Sequence, residues 1–197
     1  MTIQFCRITD LADFLQIDVD EPAAARAITE ATAAIQNYCH QLLWRVTNDA
    51  YTFDVETAQA KLFLPELPVI SVLSVVEDGT ALTVTTDYKL GRNGILHRVD
   101  DYWLEGIGTV VVTYTHGYEE DDIPEDIVAV CTRAASRAYQ AGLLSADSLG
   151  VPGVASKSLG DYSVSFHPVG GSEGTMGASG ARLLLLSEKE LLDRYHL

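Results

Sequence analysis

The chain has 197 residues, 47% of them apolar, and 13 Lys+Arg against 28 Asp+Glu give a formal net charge of −15. That apolar fraction supports a buried core and excludes wholesale disorder, and the length suits one domain, or one domain with an extended arm. The acidity excludes tight wrapping of nucleic acid, whose affinity comes largely from Lys and Arg displacing counterions at phosphates.

Thr9 to Leu15 predicts a short helix with Thr9 or Asp10 as its cap. Pro22, after Asp18-Val19-Asp20-Glu21, falls where a first helical turn tolerates proline. Ala27, Ile28, Ala31, Ala34, Ile35, Tyr38, Cys39 and Leu42 then recur at steps of three and four, predicting one amphipathic helix of about five turns. Its Ala-lined face permits close approach by another helix. From about Ala50 to Tyr118 the pattern changes to strands: Tyr51 to Val55 alternates, Lys61 to Leu64 follows, and Pro65 and Pro68 bracket a break before Val69 to Val76. Asp78-Gly79 and Asn93-Gly94 are hairpin signals, because type I′ turns need positive φ at both central residues. Thr109 to Thr115 is β-branched almost throughout. A small antiparallel sheet is expected.

Glu119 to Asp122 reads as a solvated turn before a second strong helix. There Asp122 can cap, Pro124 takes a first-turn position, and Glu125 and Asp126 place negative charge at the positive helix end. Ile127, Val130, Cys131, Ala134, Ala135 and Ala138 form its buried stripe, and Gly142 or residues 143–145 end it. The predicted class is α+β. Ala-lined helices pack together over residues 1–145, with the sheet inserted at about 50–118, and residues 146–197 form an extended C-terminal arm ending in a short helix.

In the arm, Ala146 to Gly160 reads as a connector, and Tyr162 to Phe166 alternates like a strand. Gly170, Gly171, Gly174, Gly177 and Gly180 compose a flexible linker, where rapid protease cleavage is expected. Ser187-Glu188-Lys189-Glu190 matches a capping box, with Leu186 and Leu191 as its hydrophobic staple. Leu191, Leu192 and Tyr195 form an apolar face on a helix of about two to three turns. A helix that short is marginal alone and needs a surface to dock on, which points to a partner.

Catalytic chemistry is thin. Cys6, Cys39 and Cys131 are an odd number at wide spacing, predicting buried thiols instead of disulfides or a zinc site. His40, His97, His116, His167 and His196 are dispersed, and His116 before Gly117 reads as structural. Gly170-Gly171-Ser172-Glu173-Gly174 matches G-x-S-x-G, but a nucleophile elbow needs a sharp strand-to-helix turn, not a glycine-rich linker. A small hydrolase using Ser172 or Cys131 is therefore the weaker alternative. The acidic run at 119–122 lacks the alternating ligands and central glycine of a calcium loop. The expected protein is no enzyme and carries no cofactor or metal. Its longest aliphatic run, Leu183 to Leu186, is far shorter than the ~20 residues of a membrane span. Met1 to Arg7 lacks the basic-then-apolar pattern of a signal peptide, so a soluble, unexported chain is expected.

The order of parts adds a resemblance. Ile35-Gln36-Asn37-Tyr38-Cys39 leads into strands, then Leu64-Pro65-Glu66-Leu67-Pro68-Val69-Ile70-Ser71-Val72, then Val111 to Tyr118, with Ile123-Pro124-Glu125-Asp126-Ile127 opening a helix. Leu159-Gly160-Asp161-Tyr162-Ser163-Val164-Ser165 and Leu191-Leu192-Asp193-Arg194-Tyr195 follow. From about Ile8 to Tyr195, this series resembles the head-to-tail connector proteins of tailed bacteriophages, also called adaptor or head-completion proteins. The resemblance implies a structural virion protein of the neck, made in the host cytoplasm. It implies a ring of twelve subunits beneath the portal, a stopper or tail-completion protein on the opposite face, and DNA passing through without tight binding. In such proteins the C-terminal segment docks on the portal. Leu191, Leu192 and Tyr195 are the candidates here, with Leu183, Leu184 and Leu186 in a second anchor. Acidity suits a channel wall that DNA slides past. Asp100, Asp101, Glu119, Glu120, Asp121 and Asp122 are the candidate channel residues, or simply solvated loops. A stopper or tail terminator is a further alternative, generally smaller and β-rich, against which the two strong helices speak.

Overall fold

The computed structural model describes residues 4–147, 156–159, 162–165 and 183–196. Two helices form the frame. α2 (Glu21–Cys39) is capped by Asp20, whose carboxylate accepts from the Ala23 N–H at 3.0 Å, and Pro22 sits in its first turn as expected. It ends at His40 in a left-handed conformation (φ 56°), so Leu42 lies beyond the helix and is exposed, not the last residue of its stripe. α3 (Glu125–Asp147) runs past Gly142. Its first turn is closed by the Pro124 carbonyl, which accepts from Ile127 and Val128 at 3.0 and 3.2 Å. Asp122 does not cap it, because that residue is in a separate 3₁₀ turn over Glu120–Asp122.

Ala24, Ala27, Ile28, Ala31, Ile35 and Cys39 of α2 meet Ile127, Val130, Cys131, Ala134, Ala135 and Tyr139 of α3 in one core. The small side chains let the two backbones close on each other, as the Ala-rich stripes predict. α1 (Ile8–Leu15) covers one end through Leu11. It starts at Ile8, so Thr9 and Asp10 are inside it; Asp10 still satisfies a helix-start donor, accepting from the Arg7 N–H at 2.8 Å. All three cysteines are free and buried, with the Cys6 and Cys131 sulfurs 3.4 Å apart.

The inserted region holds two sheets where a single small one is predicted. β1 (Val46–Val55), β7 (Gly106–His116), β3 (Val69–Glu77) and β4 (Thr80–Ala81) form a four-stranded sheet in that spatial order, with antiparallel pairing. β2 (Lys61–Phe63), β6 (Ile95–Arg98) and β5 (Tyr88–Leu90) form a three-stranded one. On β7, Val110, Val112, Tyr114 and His116 are buried at every second position, the period that places them on one face. The first three join Val55, Val75, Leu62, Leu96 and Trp103 in a second core. Both hairpin signals hold: Asp78 and Gly79 have φ of 44° and 78°, and Asn93 and Gly94 have 55° and 66°.

The insertion enters and leaves the helical frame side by side. Tyr118 N–H donates to the Leu43 carbonyl and Arg45 N–H to the Tyr118 carbonyl, both at 2.8 Å. Gly117 lies between them at φ 82°, its N–H donating to Pro68. A Cβ there would stand 2.1 Å from the Trp44 carbonyl oxygen.

In the arm, β8 (Ser156–Leu159) pairs antiparallel with β9 (Tyr162–Ser165). A hairpin thus replaces the expected single strand after an irregular connector, because Ser156 to Leu159 supplies a second strand. The Gly170–Gly180 linker, with Ser172 and its G-x-S-x-G match, lies outside the described residues.

Candidate functional site

The C-terminal segment, residues 183–196, lies against α2 and α3. α4 (Leu186–Leu192) is followed by a 3₁₀ turn over Asp193–Tyr195. Leu184 and Leu192 are buried in the helical core, and Leu183 and Tyr195 pack against it. The surface that this short helix needs is thus present within the chain. Leu186 and Leu191 are exposed, at 75% and 43%, so they do not form the expected staple.

Glu188 holds the segment down. Its residue is 2% exposed, and its carboxylate accepts from the Arg137 guanidinium and, at 2.9 Å, from the Leu185 N–H. Arg133 stands 3.9 Å away, and Arg137 also donates to the Leu183 carbonyl at 2.6 Å. The helix starts one residue before Ser187, so the carboxylate that reaches back is Glu188, and Ser187 is an exposed residue inside the helix. The Ser187–Glu190 box does not form. Burying a carboxylate costs several kcal/mol unless it is paired and hydrogen-bonded, and here it is both.

Polar contacts fix the rest. Tyr38 donates its hydroxyl to Asp193, Gln41 donates to the Tyr195 carbonyl, and Tyr195 donates to Asp126 at 2.8 Å. The His196 ring stands edge-on to Tyr38 and His40, with centroids 5.6 and 5.1 Å apart. These groups are sensitive to alkali. The bond to Asp193 raises the Tyr38 phenol, burial and then the bond to Asp126 raise Tyr195, and burial pushes Cys39 up to about 11. Each binds its proton more tightly folded than unfolded, so its contribution is complete below its ordinary value and lost as pH rises through the folded one. Ordinary values are 9.0 for Cys39 and 10.0 for the tyrosines. Melting temperature is therefore expected to hold to about pH 9 and fall steadily toward pH 11. A flat profile over that range contradicts the assignment.

The acidic candidates are not brought into one cluster. Asp100 and Asp101 are exposed before β7, and residues 119–122 follow it. Glu119 pairs with Arg45 at 2.7 Å, and Glu120 and Asp121 pair with Arg7 at 3.4 and 3.0 Å. Exposed pairs of this kind contribute about 0–1 kcal/mol each. His116 is buried, with Nε2 3.3 Å from an Asp49 oxygen, in keeping with a structural role. Cys131 is buried beside Cys6 and Thr32, and its bond with Cys6 and its burial both push its thiol up, away from the thiolate a nucleophile needs. Among the described residues, no group of three or more His, Cys, Asp or Glu is placed to hold a metal ion, and no helix is long and apolar enough to cross a membrane.

The Arg137–Glu188 pair is the feature that sequence reasoning missed. A signal for it exists: Leu184, Glu188 and Leu192 recur at steps of four, which places Glu188 on the buried face of α4.

A family model described as "Head completion protein" matches residues 4–133. No curated protein matches the chain. Among solved structures, a chain from the neck of an empty gene transfer agent (GTA) particle, computed with C6 symmetry, is similar at a TM-score of 0.56 and 13% identity, over 98% of this chain and 89% of that one. A chain from the virion of a native GTA particle is similar at a TM-score of 0.50 and 15% identity, with the same coverage. At these identities the likeness is one of fold.

Proposed function

This chain belongs to the head completion protein family, and from that premise we propose that it forms a ring of twelve subunits under the portal of a phage-like particle. It is a structural protein of the neck. The ring joins the DNA-filled head to the tail, with a stopper or tail-completion protein on its far side. A net charge of −15 per subunit disfavours adhesion of phosphates and suits passage of DNA. Asp100, Asp101 and residues 119–122 are the candidates for the channel wall. The similarity to a chain from a C6-symmetric particle neck supports a ring.

The observation that carries the reading is the two-sided C-terminal segment. Leu183, Leu184, Leu192 and Tyr195 anchor it to its own core, while Leu186 and Leu191 are left outward, an apolar pair with no use inside the monomer. These two contact the portal. The double variant Leu186→Asp/Leu191→Asp is expected to melt as the wild type does, because both positions are exposed, yet to lose capture by purified portal. Undiminished capture by the folded variant refutes portal docking through this face.

A further inference from the structure

Ile107 is 92% exposed, more than any other large apolar residue among those described. It is held out on a fixed support. Gly106 and Gly108 flank it at φ of 145° and 67°, backbone conformations that side-chain-bearing residues rarely adopt. Gly108 N–H donates to the Asp54 carboxylate at 2.7 Å, and the Thr109 hydroxyl donates to the Leu104 carbonyl at 2.9 Å. Asp54, Glu56 and Glu105 surround this tip and give it negative charge. A rigid apolar knob ringed by carboxylates fits a recess that is apolar and basic.

The chain contains such a recess at the other end of β7. A cavity of about 460 Å³ lies between the C-terminal segment and the β5–β6 hairpin, with Leu67, Pro68 and Leu90 in its wall. Arg92, Arg194 and His196 line it as well, and no carboxylate does. Arg194 is shared with Asp126 at 3.3 Å, whereas Arg92 pairs with no carboxylate among the described residues. Three other cavities, at the knob itself, beside Trp103 and beside Phe5, each include carboxylates. In a chain with 28 acidic and 13 basic residues, a recess of this sign is the exception.

Register shows that the two cannot meet within one molecule. The knob is at the end of β7 where Gly106 pairs with Val55, and the recess is at the end where His116 pairs with Val69. Eleven residues of strand, about 33 Å at ~3.3 Å per residue, separate them. We infer that the Ile107 knob of one copy seats in the Arg92–Arg194–His196 recess of the next. The contact joins two different surfaces, so it repeats head to tail, and closure of that repeat gives a ring. The inference rests on the ring proposed above and names its interface.

Complementation tests it. Ile107→Asp spoils the knob and Arg92→Glu the recess, both at exposed positions where folding is expected to survive; Ile107→Ser serves as a milder knob variant. Sedimentation velocity and native mass spectrometry, with and without purified portal, read assembly. The wild type is expected to form species larger than dimers, and each variant alone to associate about tenfold more weakly or worse. An equal mixture of the two variants is expected to give 1:1 heterodimers and nothing larger, because it retains one intact knob and one intact recess per pair. If folded Ile107→Asp assembles like the wild type, or the mixture gives no heterodimer, this interface is wrong while the ring stands. If the wild type stays monomeric even with portal, the ring itself fails, and the interface with it.

Discussion

Glu188→Ala is expected to free residues 183–196 from the helical core, at a cost of about 3–5 kcal/mol, the usual penalty for removing one partner of a buried ion pair. Three effects act together. The Arg137 guanidinium, whose side chain is 26% exposed, is left without its carboxylate, and its Nε already has no hydrogen-bond partner. The Leu185 N–H at the start of α4 loses its acceptor. A seven-residue helix has no stability of its own, so Leu184 and Leu192 come out of the core with it. Hydrogen exchange over residues 186–192 is the direct readout, and its protection should collapse while α2 and α3 remain protected. Glu188→Gln keeps an acceptor without the charge and should fall between the two. The double variant Arg137→Leu/Glu188→Leu should lose less than the single one, since no orphaned charge remains. Unchanged exchange in Glu188→Ala means that apolar contacts alone hold the segment.

Gly117→Ala is expected to cost about 3 kcal/mol or more. Positive φ at a non-glycine residue is worth about 1 kcal/mol of that. The larger part is steric: the new methyl meets backbone, 2.1 Å from the Trp44 oxygen and 2.9 Å from the Arg45 nitrogen, and neither can rotate aside. The strand exit must move, which breaks the paired hydrogen bonds between Leu43, Arg45 and Tyr118. Denaturant unfolding of purified protein gives the number. A loss below about 1 kcal/mol shows that the junction yields more easily than its geometry implies.

The helical frame was legible because it is local. Alanine and isoleucine at steps of three and four on α2 and α3 report one buried face whatever the partner, and Pro22 marks a first turn by its own chemistry. The hairpin turns at Asp78-Gly79 and Asn93-Gly94 were legible for the same reason. Division of the strands into two sheets was not, because pairing of β7 with both β1 and β3 is set by contacts distant in the chain. Caps shifted by two or three residues wherever several polar residues competed, as Thr9, Asp10 and Ser187 show. At the site, the apolar residues of the C-terminal segment were found, but not their division into an inward and an outward set. That division depends on Glu188, a charged residue whose burial only its partner on α3 explains. Ile107 lies just before the run expected as a strand and drew no reading of its own, because sequence carries no mark for protrusion.

The stitched crossing at Leu43–Arg45 and Gly117–Tyr118 has an architectural consequence. The chain departs from the two-helix frame and returns to it at neighbouring points, and hydrogen bonds from Leu67 N–H to Gln41 and from Leu42 N–H to Glu66 tie the insertion to the frame beside the same place. Chain added at the far end of the four-stranded sheet, where Gly106 pairs with Val55, lies a strand's length from α2 and α3 and leaves their spacing unchanged. The insertion can therefore lengthen at that far end without disturbing the frame, provided a glycine is kept at its return.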